Sequence, residues 1–161
     1  MVNIKHFLIV GLVISIISVS PLCASDVSML DALDITPFSQ DTVVTIDGID
    51  FNIPKGYGEE VGVLTKDGEI EEINGVNFIT FSHRYINDDA KSISIDIFYD
   101  EHQLTGLDSL TKTSGEVDKT INGNEGLFLQ EEGYCSFTYA LDGKTIMITA
   151  ENETMISNTM I

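Results

Sequence analysis

From Asp41 onward the apolar residues recur at every second position in one short run after another, which is the period of half-buried strands. Val44 and Ile46 share one face, and Ile49, Phe51 and Ile53 share one after Asp47-Gly48. VVTIDGIDFNI therefore predicts a hairpin, ended by Pro54 and the loop Lys55 to Gly58. NGVNFITFSHRY sets Asn77, Ile79 and Phe81 against Val76 and Phe78; bulk on both faces predicts a central strand. SISIDIFYD alternates more strictly, with Ile93, Ile95, Ile97 and Tyr99 inward and Ser92, Ser94 and Asp96 outward. The polar loop Ile86 to Lys91 joins these two runs into a second hairpin. Gly126 to Gln130, Tyr134 to Leu141 and Lys144 to Ala150 predict three more strands in a meander, turned at Glu131-Glu132-Gly133 and Asp142-Gly143.

Two stretches change period. Leu104, Leu107 and Leu110 fall three apart ahead of Gly115, and Met155, Ile156 and Met160 fall on one side of a final segment, so each predicts a short helix. The expected fold is α+β: an antiparallel sheet of about seven strands built from hairpins, with one or two short helices packed on one face.

A repeated phrase punctuates these runs. TIDGIDF at Thr45, EINGVNF at Glu72 and TINGNEG at Thr120 share an isoleucine, then Asp or Asn, then glycine. After the glycine they diverge, whereas a ligand loop would keep donors at fixed offsets. A two-residue hairpin turn of the primed type needs positive φ at both central residues, which Asp or Asn tolerates and Gly adopts freely. The chain has five such pairs, Asp47-Gly48, Asp67-Gly68, Asn74-Gly75, Asn122-Gly123 and Asp142-Gly143. All but Asp67-Gly68, which lies between Lys66 and Glu69, have strand-like flanks. A calcium loop from Asp118 through Asn122 to Gly123 fails, since Leu129 stands where the bidentate Glu belongs.

The amino terminus predicts export. Lys5 and His6 precede the uncharged run Phe7 to Val19, and SPLCAS follows, so residues 1–24 read as a signal peptide cut after Ala24. Retention of the segment as a membrane anchor is the alternative. Residues 25–40, with Met29, Leu30 and Leu33 at helical spacing before Pro37, read as a linker, and residues 41–161 as a single α+β domain. The chain carries 26 acidic and 8 basic residues, a net charge of -18, and cleavage would remove only Lys5 from that balance. Such a surface repels phosphate backbones and argues against nucleic acid as a partner. Cys23 leaves with the signal and Cys135 remains alone, so no intramolecular disulfide is expected.

Candidate chemistry is sparse. Cys135 shares a face with Phe137, Tyr139 and Leu141, which predicts a buried, inert thiol rather than a nucleophile. His83 and His102 have no second His or Cys at ligand spacing, so no metal site, catalytic residue or cofactor site is expected. The acids at Glu69, Glu71 and Glu72, at Asp88 and Asp89, and at Glu131 and Glu132 read as solvated turns. Asn152-Glu153-Thr154 is a glycosylation sequon, which makes Asn152 the one possible modification site and marks a surface.

The stretches VTIDGIDFNIPKGY, EINGVNF and INGNEGLFLQEEGYCSFTYALDGKTIMITAENE together resemble small exported domains of unknown function abundant in methanogenic archaea. F-x-I-P-x-G-Y and the closing G-Y-x-x-x-x-Y-x-x-D-G-K are also similar to PsbP-like folds, whose long central helices have little counterpart here. Neither resemblance implies catalytic residues. The expected function is that of an acidic, non-enzymatic binding or interaction domain, secreted or associated with the cell envelope. Its partner would be an unknown protein or cell-surface component. The alternative is a hydrolase of cell-surface polymer working through paired carboxylates, which requires two acids in one concavity.

Overall fold

A computed structural model describes residues 30, 33–62, 65–73, 76–100 and 112–161. Among them the alternating runs form antiparallel strands throughout, and the last periodic segment forms a helix. β1 (Thr42–Ile46) and β2 (Ile49–Ile53) make a two-stranded sheet of their own. The main sheet has eight strands: β3 (Gly58–Glu59), β4 (Lys66–Ile73), β5 (Val76–Ile86), β6 (Ser92–Asp100), β7 (Val117–Ile121), β8 (Asn124–Glu131), β9 (Tyr134–Leu141) and β10 (Lys144–Ala150). A short helix, α1 (Glu153–Thr159), follows. The strand content thus exceeds the expected seven.

The order across the main sheet is β3-β5-β6-β10-β9-β8-β7, and β4 also pairs with β5. β3 meets Tyr85 and Ile86 while β4 meets Val76 to Ser82, so the two share one edge of β5 end to end. Two meanders, β4-β5-β6 and β7-β8-β9-β10, are joined where β10 docks on β6, with Ile146 opposite Ile97 and Ile148 opposite Ile95.

Two departures from the sequence reading lie in β4. Asp67-Gly68 is not a turn. The register shifts between Asp67 and Glu69, Gly68 has φ +81°, and the pair forms a bulge inside an edge strand. The acids Glu69, Glu71 and Glu72 accordingly stand on that strand rather than in a turn. Charge and a bulge on an edge discourage unwanted pairing, and this explains a strand without hydrophobic alternation. The Asn74-Gly75 turn and the helix expected at Leu104 to Leu110 lie outside the described residues.

One face of the main sheet is the core. Ile93, Ile95 and Ile97, then Ile146 and Ile148, then Cys135, Phe137 and Tyr139 line it, nearly all fully buried. Gly126 belongs to this face by necessity: a Cβ there would lie 2.8 Å from the Phe137 ring and 2.3 Å from the Thr138 carbonyl oxygen. The β1–β2 hairpin covers the face with Ile46, Phe51 and Ile53, and α1 covers it with Ile156 beside Met160. The far end of the expected linker also packs. Ile35 and Leu30 are buried against Ile86 on the opposite face, and Ile35 lies where a side chain on Gly58 would otherwise stand.

The turns tie these layers together. Asp47 and Asn122 adopt φ of 47° and 49° ahead of Gly48 and Gly123, as the primed turn requires. Lys144 holds the first turn to the sheet, donating to the Asp47 carbonyl at 2.5 Å and pairing with its carboxylate at 2.8 Å. At the second, Asn122 Nδ2 donates to the carbonyl oxygens of Ser157 (2.7 Å) and Met160 (3.4 Å), and Ser157 Oγ donates back to Asn122 Oδ1 at 2.9 Å. These bonds satisfy carbonyls that the end of a helix leaves open.

The turn geometry and the tie are separable by mutation. Asn122→Gly keeps the positive φ and removes the three hydrogen bonds, and should lower stability by about 1–2 kcal/mol. Asp142→Gly, at an equivalent turn with φ 49°, should change it by less than about 0.5 kcal/mol. Urea denaturation of the two variants side by side measures the difference.

Candidate functional site

The groups with chemical potential are, one by one, occupied. Cys135 is fully buried on the core face, and burial pushes its thiol up from the ordinary value with a smaller contribution from Glu153, which disfavours the nucleophilic thiolate. Tyr139, beyond Phe137 on the same face of β9, is pushed up by burial to about 12. His83, on β5, pairs through Nδ1 with Glu59 Oε1 at 2.6 Å. That is the arrangement of a base and its orienting acid, yet His83 Nε2 is buried with no hydrogen-bond partner among the described residues, so no hydroxyl or thiol is set against it. His102 lies outside the described residues.

Among the described residues an open depression of about 320 Å³ lies at the end of the sheet between the turns at Ala90 and Gly133, with Tyr134 and Thr149 in its lining. Glu151 is its one carboxylate, and it pairs with Lys91 at 3.0 Å. The pair of carboxylates that polymer hydrolysis needs is not in that depression. Among the described residues no three His, Cys, Asp or Glu side chains are placed to hold a metal. Asn152 is exposed and serves as the N-cap of α1: its Oδ1 accepts from the Met155 N–H at 2.9 Å.

Asp96 departs from expectation. It points to the face away from the isoleucines, as its alternation requires, but it is only partly exposed, and it accepts from Ser82 Oγ at 2.5 Å. Desolvation raises its pKa; the Ser82 hydrogen bond and the nearby Lys66 charge, itself paired with Glu71, pull the other way.

Among the described residues, a strip of the core face has no cover. α1 touches β2, β9 and β10, and an isolated antiparallel bridge from Met160 to Phe51 closes the outer edge of β2. The covering layer therefore runs α1, β2, β1 above β9, β10, β6, and β1 lies on the side toward β5. Phe38, four residues before β1, has its ring 6.3 Å from that of Tyr85 on β5. Beyond β1 the sheet continues onto β5 and β4. There Ile79 and Phe81 are only partly buried, and Ile70, opposite Ile79, is 71% exposed. Phe81 lies over the bulge, its ring 3.3 Å from where a Gly68 Cβ would stand. Asp67 and Glu72 share this face of β4 with Ile70 and are both exposed. Sequence reasoning missed the strip because its rim strand carries no alternation and its exposure depends on how far the hairpin reaches across the sheet.

The Asp96 carboxyl gives a signed pH response. A carboxyl whose folded pKa is raised binds its proton more tightly in the folded state, so its contribution to stability falls as pH climbs from the ordinary carboxyl range, about 4, through the raised value. Asp96→Asn mimics the protonated form and can keep the Ser82 hydroxyl as donor. The variant should match the wild type at low pH and gain stability over it as pH rises to 7, as measured by thermal melts across that range.

Comparison of the chain with protein-family models, with curated proteins and with solved structures gave no match.

Proposed function

We propose that the protein is an exported, acidic, non-enzymatic binding domain working at the cell envelope or outside the cell. The observation that supports this reading is the open strip beside β1: an apolar floor of Ile70, Ile79 and Phe81 with acids at its rim, next to a strand edge unpaired among the described residues. Exposed apolar surface rimmed by polar groups is what an interaction site offers, whereas the residues that could do chemistry are spent on packing and ion pairs. The charge of -18 adds a preference for cationic or neutral partners and for binding that weakens with salt.

Export carries the other half of the reading and rests on the uncharged run after Lys5, with the mature chain starting at Ser25. The test is co-sedimentation of the purified protein with isolated envelopes of its own cells at low and high salt. The wild type should sediment with envelopes at low salt, and Ile70→Asp, a change at an exposed position, should reduce the bound fraction at least about tenfold while leaving the melting curve in place. Equal sedimentation of variant and wild type, or none by either, contradicts the proposal.

A further inference from the structure

The edge of β1 differs from the other edges of the fold. β4 carries Lys66, Glu69, Glu71, Glu72 and the bulge, and β7 carries Asp118 and Lys119, so both main-sheet edges are blunted by charge. Thr42–Ile46, TVVTI, has no charge, no proline and no bulge. In a hairpin closed by two residues the pair next to the turn, Ile46 and Ile49, exchanges hydrogen bonds, and so do Val44 with Phe51 and Thr42 with Ile53. Val43 and Thr45 therefore direct their N–H and C=O groups away from β2. Among the described residues nothing pairs with them.

Resting on the binding function proposed above, we infer that the partner is an extended peptide segment that adds as a strand to the free edge of β1 and lies over Ile70, Ile79 and Phe81. Main-chain bonds to Val43 and Thr45 supply the attachment, and alternate side chains of the segment enter the apolar strip. The charge at the rim of the strip selects among such segments. Asp67 and Glu72 stand exposed on the same face as Ile70, and the one basic side chain facing them from β5, His83, is engaged by Glu59. A segment with small apolar residues on one face and Lys or Arg at its ends meets both features.

A second copy of the chain does not fit. Antiparallel pairing of two β1 edges about a two-fold axis keeps both main sheets on the same side of the hairpin layer. Each main sheet already extends through β5 and β4 beneath the incoming strand, so the two would claim the same space, and two chains of charge -18 also repel. A single strand makes no such demand.

The probe is a capped synthetic peptide, Lys-Thr-Val-Thr-Val-Thr-Lys, whose lysines and valines share one face, titrated into the full-length protein and followed by amide resonances. Shifts should concentrate at Val43, Thr45 and the residues around Ile70, and binding should weaken as salt is raised. Val43→Pro removes only the outward N–H and leaves the bonds to β2; it should weaken binding at least about fivefold, the worth of roughly one hydrogen bond, without moving the melting temperature by more than a few degrees. Val43→Lys, which keeps the N–H and places a like charge at the edge, should weaken the lysine peptide too and serves if the proline variant melts early. Glu-Thr-Val-Thr-Val-Thr-Glu should bind at least about tenfold more weakly than its lysine counterpart. Binding unaffected by Val43→Pro, equal binding of the two peptides, shifts confined to other surfaces, or no binding at all would overturn the strand-addition inference, as would concentration-dependent dimerisation through β1 of the protein alone. If peptide binding fails while envelope binding still depends on Ile70, the inference falls and the binding function stands; failure of both removes both.

Discussion

The structure depends on covering one sheet of isoleucines. Ile93, Ile95, Ile97, Ile146 and Ile148 are fully buried in adjacent strands of the core face, and each contributes about 1.5–3 kcal/mol when removed from water. Uncovering all five would cost about as much as the whole net stability of an ordinary domain, about 5–15 kcal/mol. The cover comes from opposite ends of the described chain, the β1–β2 hairpin from one and α1 from the other. Their mutual contacts, the Phe51–Met160 bridge and the hydrogen bond from Asn52 Nδ2 to the Asn158 carbonyl at 3.2 Å, close the layer. A cover of that kind stabilises the sheet only when both pieces are seated. Sheet and cover therefore behave as one cooperative unit.

The same constraint gives the glycine-centred turns a second use. A residue with positive φ ahead of a turn glycine projects its side chain out of the hairpin, and Asp47 and Asn122 use that projection to reach Lys144 and the end of α1. Asp142, in the same backbone state, is exposed. The repetition of Asp-Gly and Asn-Gly along the chain is thus turn chemistry first. Which copies also act as ties is decided by what lies beside them in the fold.

Much of this was legible in the sequence because it is local. Alternation located β1, β2, β5, β6, β8, β9 and β10; the turn pairs located most of their connections; and the apolar face of YCSFTYAL placed Cys135 in the core. β4 was illegible because an edge strand under pressure to avoid pairing replaces alternation with charge, and its Asp67-Gly68 imitates a turn. The docking of β10 on β6, the packing of Ile35 on Ile86 and the crowding around Asp96 depend on residues distant along the chain, and no local period encodes them. The open strip was hidden for a related reason. Among the described residues the two-stranded cover is narrower than the sheet beneath it, and only the assembled layers show that difference. Cys135 is spent on packing, while His83 Nδ1 and Lys144 are spent on ion pairs with Glu59 and Asp47, and among the described residues the outward main-chain groups of Val43 and Thr45 are unpaired.

Native-state hydrogen exchange tests the shared cover most directly. The amides of Phe51 in β2 and Met160 after α1 should exchange through the same global opening as those of Ile95 and Ile148 in the main sheet, with opening free energies that agree within about 1 kcal/mol and fall together as urea is added. Phe51 and Met160 exchanging through a local opening several kcal/mol cheaper, while Ile95 and Ile148 remain protected, would show a sheet that stands without its cover and would contradict the account.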